Sequence, residues 1–476
     1  MSEVLQFTGR YGIDRDMFSA LLRVEDSFDV VRREFIIGGK QAALYFIDGF
    51  IRAEIVEKML EYLTAITPQQ ILEAEKQGEI DPERFCGRFI TYVEAQTEPD
   101  ASLAVTQILS GVSALQIDGC DRIILIKARN YPTRGLDEPE NERALRGSHD
   151  GFCETLIVNT ALIRRRIRDP KLTMEHISIA GCHTDVVLCY MQGAADEKHL
   201  QKMRKKLKAV RTEALHMGQA SLIETILGEQ WFNPFPRVRF TERPDSAAAS
   251  IQEGQIVLLT DTSPQAIILP CSIFTFTQDI NDFYFPPLVG TYLRWVRFAV
   301  GVVTLLLTPV WYLMISNPDY VPSYLQFAIV DNQGVIPVLM QFIVIELLLD
   351  GLKLASLNTP SALSNSLSVV GALLLGDLAI QAGWFSPEVV LYMAFVAVST
   401  YTLTSFEISY ALKFNRMLLL ILTAICNLWG FVLGILLLIL QLFTVKTLDG
   451  CRYLSPLIPF DWKKLSTLLV RRTKKG

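Results

Sequence analysis

The sequence predicts an α/β soluble N-terminal region of two subdomains, followed by an all-α multi-pass transmembrane domain. Three observations lead there. The 476-residue chain combines 20% charged residues with a positive mean hydropathy of +0.29, so polar and apolar character must be segregated along it. Residues 1–290 carry a formal charge of −9, whereas 291–445 carry −2 and 446–476 carry +6. From Val296 onward, apolar runs follow one another with only short interruptions.

The N-terminus, MSEVLQFTGRYGIDRD, has acids and no apolar run, so it reads as neither a secretory signal nor an anchor, and residues 1–30 are taken as an N-terminal extension. A first α/β subdomain is expected over 31–105. In REFIIGGKQAALYFID, Gly38-Gly39 can supply positive φ between two strand-like runs, which predicts a hairpin. IRAEIVEKMLEYLTAI then places Ile51, Ile55, Met59, Tyr62 and Ile66 at helical spacing. After a polar stretch around 95–104, a second subdomain is expected over 106–290. Its strands are written in SALQIDGCDRIILIKA, turning at Asp118-Gly119, in ISIAGCHTDVVLCYM, and in QIVLLTDTSPQAIILP around a Ser-Pro turn. GFCETLIVNTALIRRRI and the basic-faced DEKHLQKMRKKLKAV read as helices.

The transmembrane domain is expected over 291–445. VRFAVGVVTLLLTPVWYLMIS has no charge after Arg297 for about 20 residues, enough at 1.5 Å per residue to span a hydrocarbon core of roughly 30 Å. Further apolar segments follow near 335–349, 367–383, 388–405 and 417–445. Arg294 and Arg297 precede the first span, and the basic tail of 446–476 carries Lys463, Lys464, Arg471 and Arg472. The positive-inside rule places both ends in the cytoplasm, with these six side chains at the lipid headgroups. That demands an even number of crossings, while five segments are visible. Either 335–349 is re-entrant, or the 29-residue run from Met417 bends near Asn427–Gly430 to cross or dip twice. Four full spans and one partial one are the expectation.

Several function classes are disfavoured. The acidic first part argues against nucleic-acid binding. No GxxxxGK[ST], HExxH, GxSxG or CxxC pattern occurs, so no enzyme, cofactor or metal is expected. Eight scattered cysteines form no disulfide frame and suit a reducing compartment. Cys182, His183 and Cys189 invite a metal reading, but their spacing matches no standard zinc pattern and a structural role is expected. The run IRRRIRDPK is expected on a solvated or headgroup-facing surface, and Asp245 of TERPD as a helix cap.

The acids of the membrane half carry more chemistry. Asp377 lies in VGALLLGDLAIQAGW, where an isolated charge costs roughly 2.5–3.5 kcal/mol to insert. Glu346 and Asp350 stand four apart, on one helical face, with Lys353 near enough to neutralise Asp350; Glu407 is expected to pair with Lys413. Between them, SLNTPSALSNSLS is rich in small hydroxyl residues, a composition suited to irregular backbone lining a cavity. Asp377, Glu346, Ser361, Ser364, Asn365 and Ser368 are therefore the candidates for an ion path.

Three runs carry a family resemblance: EPENERALRGSHDGFCETLIVNTALIRRRIRDPKL, FPRVRFTERPDSAAASIQEGQIVLLTDTSPQAIILP and VGALLLGDLAIQAGWFSP. Together they are similar to the A subunits of GerA-type spore germinant receptors, nearly collinearly from about residue 30 to 460. DTSPQAIILP, PPLVGTYLRWVRF and ELLLDGLKLASLNTPSALS look more like a stage V sporulation branch of that family. The chain departs from the family in LDGLKLASLNTP, in RGSHDGF and in having Asp at 377. The resemblance implies an inner-spore-membrane protein with its α/β part on the core side. It also implies a homo-oligomer, pentameric by family, with a second small membrane protein and germinant receptor complexes as partners, releasing monovalent ions in germination. The function expected is thus an oligomeric cation channel, with a non-conducting docking scaffold as the alternative.

Overall fold

The computed structural model describes residues 5–72, 75–76, 79–91, 94–131, 142, 147–182, 184–212, 218–228, 231–279, 281–329, 335–358, 378–403, 405–445, 447–448 and 452–470. They form two compact units. One comprises Met1–Glu229, Val238–Pro270 and Leu448–Gly450; the other comprises Gln230–Arg237, Cys271–Thr447 and Cys451–Gly476.

The first unit contains two five-stranded antiparallel sheets. After helix α1 (Tyr11–Leu22), strands β1 (Val30–Ile37) and β2 (Lys40–Ile47) form the expected hairpin, with Gly38 and Gly39 at φ of 52° and 86°. Helices α2 (Ala53–Thr64) and α3 (Pro82–Phe89), strand β3 (Ala95–Glu98), helix α4 (Ala101–Leu109) and strands β4 (Ser113–Ile117) and β5 (Ile123–Ile126) follow. The sheet order is β1-β2-β4-β5-β3. Side chains alternate along β2. Ala43, Tyr45 and Ile47 join a core with α1 and α4, whereas Ala42 and Leu44 join one with Leu63 of α2 and Phe85 of α3.

Two expectations change here. The boundary set near residue 105 falls inside α4, and the first sheet runs on to Ile126 because β3 pairs with β5 across the helix between them. AQTE is too polar to read as a strand alone. Residues 1–30 are also no mere extension: Phe18 is fully buried, edge-on to Tyr45 at 5.1 Å. Phe18 and Leu22 sit one turn apart on α1, a helical pattern too short to stand out.

The second sheet is built from β6 (Leu172–Ser178), β7 (Asp185–Met191), β8 (Arg239–Thr241), β9 (Ile256–Thr260) and β10 (Ala266–Leu269), in the order β8-β10-β9-β7-β6. Helices α5 (Leu156–Arg166), α6 (Glu197–Ala209), α7 (Gln219–Leu227) and α8 (Pro244–Gln252) accompany it. Its strands are buried on both faces: Val186, Leu188 and Leu258 pack to one side, Val187, Cys189, Val257 and Leu259 to the other.

The second unit is helical: α9 (Pro287–Ser316), α10 (Val338–Asn358), α11 (Pro387–Thr402), α12 (Phe406–Thr444) and α13 (Trp462–Leu469). Among the described residues, α9 and α12 are long and apolar enough to cross a membrane. α12 is not straight. Asn427 takes φ 52° and ψ −132°, and there the helix folds back on itself. A Cβ on Gly430 would lie 1.8 Å from Leu422 O, and one on Gly434 would lie 2.9 Å from Leu419 Cδ2. In a straight helix those pairs would be about 12 and 22 Å apart along the axis. Ile408 and Ala411 accordingly share a cluster with Leu438 and Leu442. The bend expected near Asn427–Gly430 is present at Asn427, and residues 338–349 of the segment 335–349 belong to the 21-residue α10.

The contacts fix helix directions. The first leg of α12 runs parallel to α9, since Thr304 meets Arg416 and Asn317 meets Asn427. α10 and α11 run the opposite way, because Trp311 packs on Phe342 at 5.6 Å and on Tyr392 at 4.8 Å, while Lys353 lies over Tyr401 and Tyr410. The starts of α9 and α12 therefore share one end of the bundle with the termini of α10, α11 and α12. Asn358, where the described chain stops, and Leu378, where it resumes, stand at opposite ends.

Candidate functional site

α10 and the first leg of α12 each bring two ionisable groups to the bundle interior. Glu346 and Asp350 share a face of α10; Lys413 and Arg416 share a face of α12. Arg416 Nη2 donates to Glu346 Oε2 over 2.7 Å, and its Nη1 donates to the carbonyl of Thr304 over 3.3 Å. Lys413 Nζ lies 3.4 Å from Glu346 Oε1 and also donates to Asp350 Oδ2. Glu346 is 6% exposed and Arg416 2%. Arg416 lies about 15 Å along α12 and Glu346 about 12 Å along α10, which is mid-helix. Lys353 Nζ sits 5.4 Å from the Tyr401 ring and 5.7 Å from the Tyr410 ring, a cation over aromatic faces.

This geometry reorders the expected pairs. Asp350 binds Lys413 of the neighbouring helix, and Glu407 accepts from Ser405 Oγ at 2.5 Å instead of meeting Lys413. Glu407 and Lys413 are six residues apart, about a third of a turn off one another's face and away from the i,i+3 and i,i+4 spacings at which helical side chains pair. Glu346 is held by two cations and presents no uncompensated carboxylate. Asp377, Ser361, Ser364, Asn365 and Ser368 lie outside the described residues.

The basic residues expected at the headgroups also turn inward. Asp282, fully buried, accepts from Arg297 Nη1 at 2.9 Å and from Arg294 Nε at 3.3 Å. Arg297 Nη1 also donates to Thr277 O, and Arg294 Nη1 to Leu468 O. Arg294 and Arg297 are 4% and 8% exposed, so they clamp the start of α9. Lys463 and Lys464 lie on α13, and their side chains, like Arg471 and Arg472, lie outside the described set.

In the α/β unit, the run IRRRIRDPK is solvated in part: Arg165, Arg168 and Lys171 are exposed, as expected, whereas Arg164 is not. Arg164 is fully buried and forks onto Asp29, with Nε to Oδ2 at 2.7 Å and Nη2 to Oδ1 at 2.9 Å; it also meets Ser27 and the carbonyls of Asp169 and Leu172. Arg165 stacks over Tyr131 and Arg166 pairs with Asp150 at 2.6 Å. In TERPD, Asp245 clamps the buried Arg243 at 2.7 Å and stands in the first turn of α8, while Arg243 occupies the cap position. Beside it, Thr241 Oγ1 and Glu242 N donate to Glu142 Oε2, whose burial raises its pKa above the usual carboxylate range against the lowering influence of Arg239. Cys189 is fully buried on β7, and burial pushes its thiol pKa up; Cys182 is half-buried, and His183 lies outside the described residues. A structural role suits Cys189.

Two features escaped the sequence reading. Gly430 and Gly434 form a GxxxG pair, a signal for close helix approach that the apolar length alone conceals. Glu388, in the first turn of α11, has a buried Oε2 without a hydrogen-bond partner among the described residues. Its position after Ser-Pro looks like ordinary N-terminal acid placement.

A family model described as "Bacillus/Clostridium GerA spore germination protein" matches residues 19–475. The chain is 35% identical to stage V sporulation protein AF of Bacillus subtilis (strain 168), over 97% of this chain and 92% of that one. It is 26% identical to spore germination protein KA of the same organism, over 94% of this chain and 82% of that one. A crystal structure of the N-terminal domain of the A subunit of the Bacillus megaterium spore germinant receptor GerK3 aligns with 56% of this chain and 96% of that chain, at 24% identity and a TM-score of 0.43.

Proposed function

This chain belongs to the Bacillus/Clostridium GerA spore germination protein family, and from that premise we propose that it is a subunit of an oligomeric membrane channel releasing monovalent cations during germination. The observation that carries the reading is the Glu346–Arg416–Lys413–Asp350 network. Ionisable groups held mid-helix in an apolar bundle are costly, and they usually mark an ion path. The charge of Glu346 is compensated, so the path-lining role falls first to Asp377, with Ser361, Ser364, Asn365 and Ser368. In sequence they lie between Asn358 and Leu378. Rings of carboxylates repeated around an oligomer would draw cations in.

In this proposal the helical unit crosses the inner spore membrane an even number of times, with both chain ends on the core side. α9, α10, α11 and the two legs of α12 supply five of these passes. Germinant receptor complexes and a second small membrane protein are the proposed partners. The full compensation of Glu346 favours a second reading, a non-conducting scaffold that docks partners through its α/β unit.

Potassium and sodium flux from liposomes holding the purified chain tests the two. Flux above that of empty liposomes, reduced by Asp377→Asn, supports the channel. Absence of flux, also after adding membrane extract from sporulating cells, sinks it and leaves the scaffold.

A further inference from the structure

The sequence WFNPF interrupts the α/β half, yet it belongs to the helical unit. Asn233 ties it there: its Nδ2 donates to Gln441 O at 2.8 Å and stands 3.4 Å from Thr444 Oγ1, in the last turn of α12. Its Oδ1 accepts from Phe235 N at 3.1 Å. Phe235 is buried with Cys271, Ile408, Ala411 and Tyr453. The turn is thus pinned from both sides, and what it projects is the pair before it. Trp231 is 83% exposed and Phe232 93%.

Two adjacent large aromatic side chains held outward on a rigid turn form an apolar surface that water does not favour. They share their end of the bundle with other exposed aromatics: Tyr292 and Trp295 on the first turns of α9, and the stacked pair Phe460 and Trp462 before and within α13. Trp and Tyr gathered at one end of a set of apolar helices is the pattern of a membrane–water interface, where an amphipathic ring finds both an apolar and a wet neighbour.

We propose that Trp231 and Phe232 form an interfacial anchor that inserts into the acyl–headgroup boundary of the bilayer and sets the depth of the returning leg of α12. The occupant is lipid, because the turn is continuous with the end of an apolar helix pair and lies level with the aromatics at the start of α9. The anchor rests on the membrane placement of the helical unit and is independent of whether that unit conducts.

The test uses the full chain in phosphatidylcholine vesicles, comparing the parent with Trp231→Phe, so that the difference in emission isolates Trp231. With lipid brominated close to the headgroup, the Trp231 emission is expected to fall at least about twofold, more than with lipid brominated near the chain end, and aqueous iodide should leave it nearly unchanged. Iodide quenching of Trp231 with no response to either brominated lipid, while the remaining tryptophans respond to lipid, would overturn the anchor and leave the membrane reading standing. Absence of lipid quenching from every tryptophan would overturn both.

Discussion

Arg416 donates to Glu346 over 2.7 Å between two helices, and neither side chain is more than a tenth exposed. The pair is the centre of an interior network that also holds Lys413, Asp350 and the carbonyl of Thr304. Three helices meet through these groups, so the network ties their packing to charge balance.

Glu346→Gln leaves Arg416 facing a neutral partner. Breaking a buried pair from one side costs about 3–5 kcal/mol, whereas Asp350→Asn should cost less because Asp350 is 28% exposed. Thermal unfolding in detergent should rank Glu346→Gln well below Asp350→Asn. Equal losses would show that burial does not set the energetics.

Because α12 folds back at Asn427, Glu407→Cys and Thr444→Cys should label from the same side of sealed vesicles in a chain whose native cysteines are replaced by serine. A straight helix of 39 residues would hold them about 56 Å apart. Labelling from opposite sides would refute the hairpin.

The hairpin depends on close backbone approach. Gly430→Ala should destroy it, because the added carbon meets a backbone carbonyl that cannot move aside. Gly434→Ala should be milder, since Leu419 can change rotamer. Thermal unfolding in detergent reads both, and equal tolerance would count against the packing described.

Asp29→Asn uncouples Arg164, the buried link between the segment preceding the first sheet and α5. The expected loss is about 3–5 kcal/mol, seen as faster hydrogen exchange in 27–31 and 172–176 of the full chain. Asp26→Asn, which removes the half-exposed partner of Arg23, should change stability by less than about 1 kcal/mol. Similar effects from the two would contradict the burial argument.

Glu142 carries a pH prediction. Its native pKa is raised by burial, so the folded state keeps the proton to higher pH than the unfolded chain. Its contribution is therefore fully present below the unfolded glutamate value of about 4.3 and is lost as pH rises through the raised native value. Glu142→Gln can still accept from Thr241 and should flatten that dependence, read as the pH profile of hydrogen exchange over 239–243. An unchanged profile would remove Glu142 as its source.

What the sequence determined by itself was the alternation and the segregation. The Gly38-Gly39 hairpin, the two strands around Ser263-Pro264 and the apolar runs after Val296 are all local patterns, legible because period and turn chemistry repeat within a few residues. The family too was carried by contiguous runs of residues. Tertiary structure alone decided which charges meet. Arg164 reads as one of three solvated arginines until Asp29, 135 positions away, is folded against it. Arg294 and Arg297 read as headgroup ligands until Asp282 is buried beneath them. The run from Met417, whose bend the sequence left as one of two alternatives, lies in two legs because Asn427 adopts a positive φ and two glycines admit the returning backbone. Propensity and periodicity act over one turn of chain. Desolvation makes the choice of partner for a charge, and desolvation exists only once distant segments have closed around it.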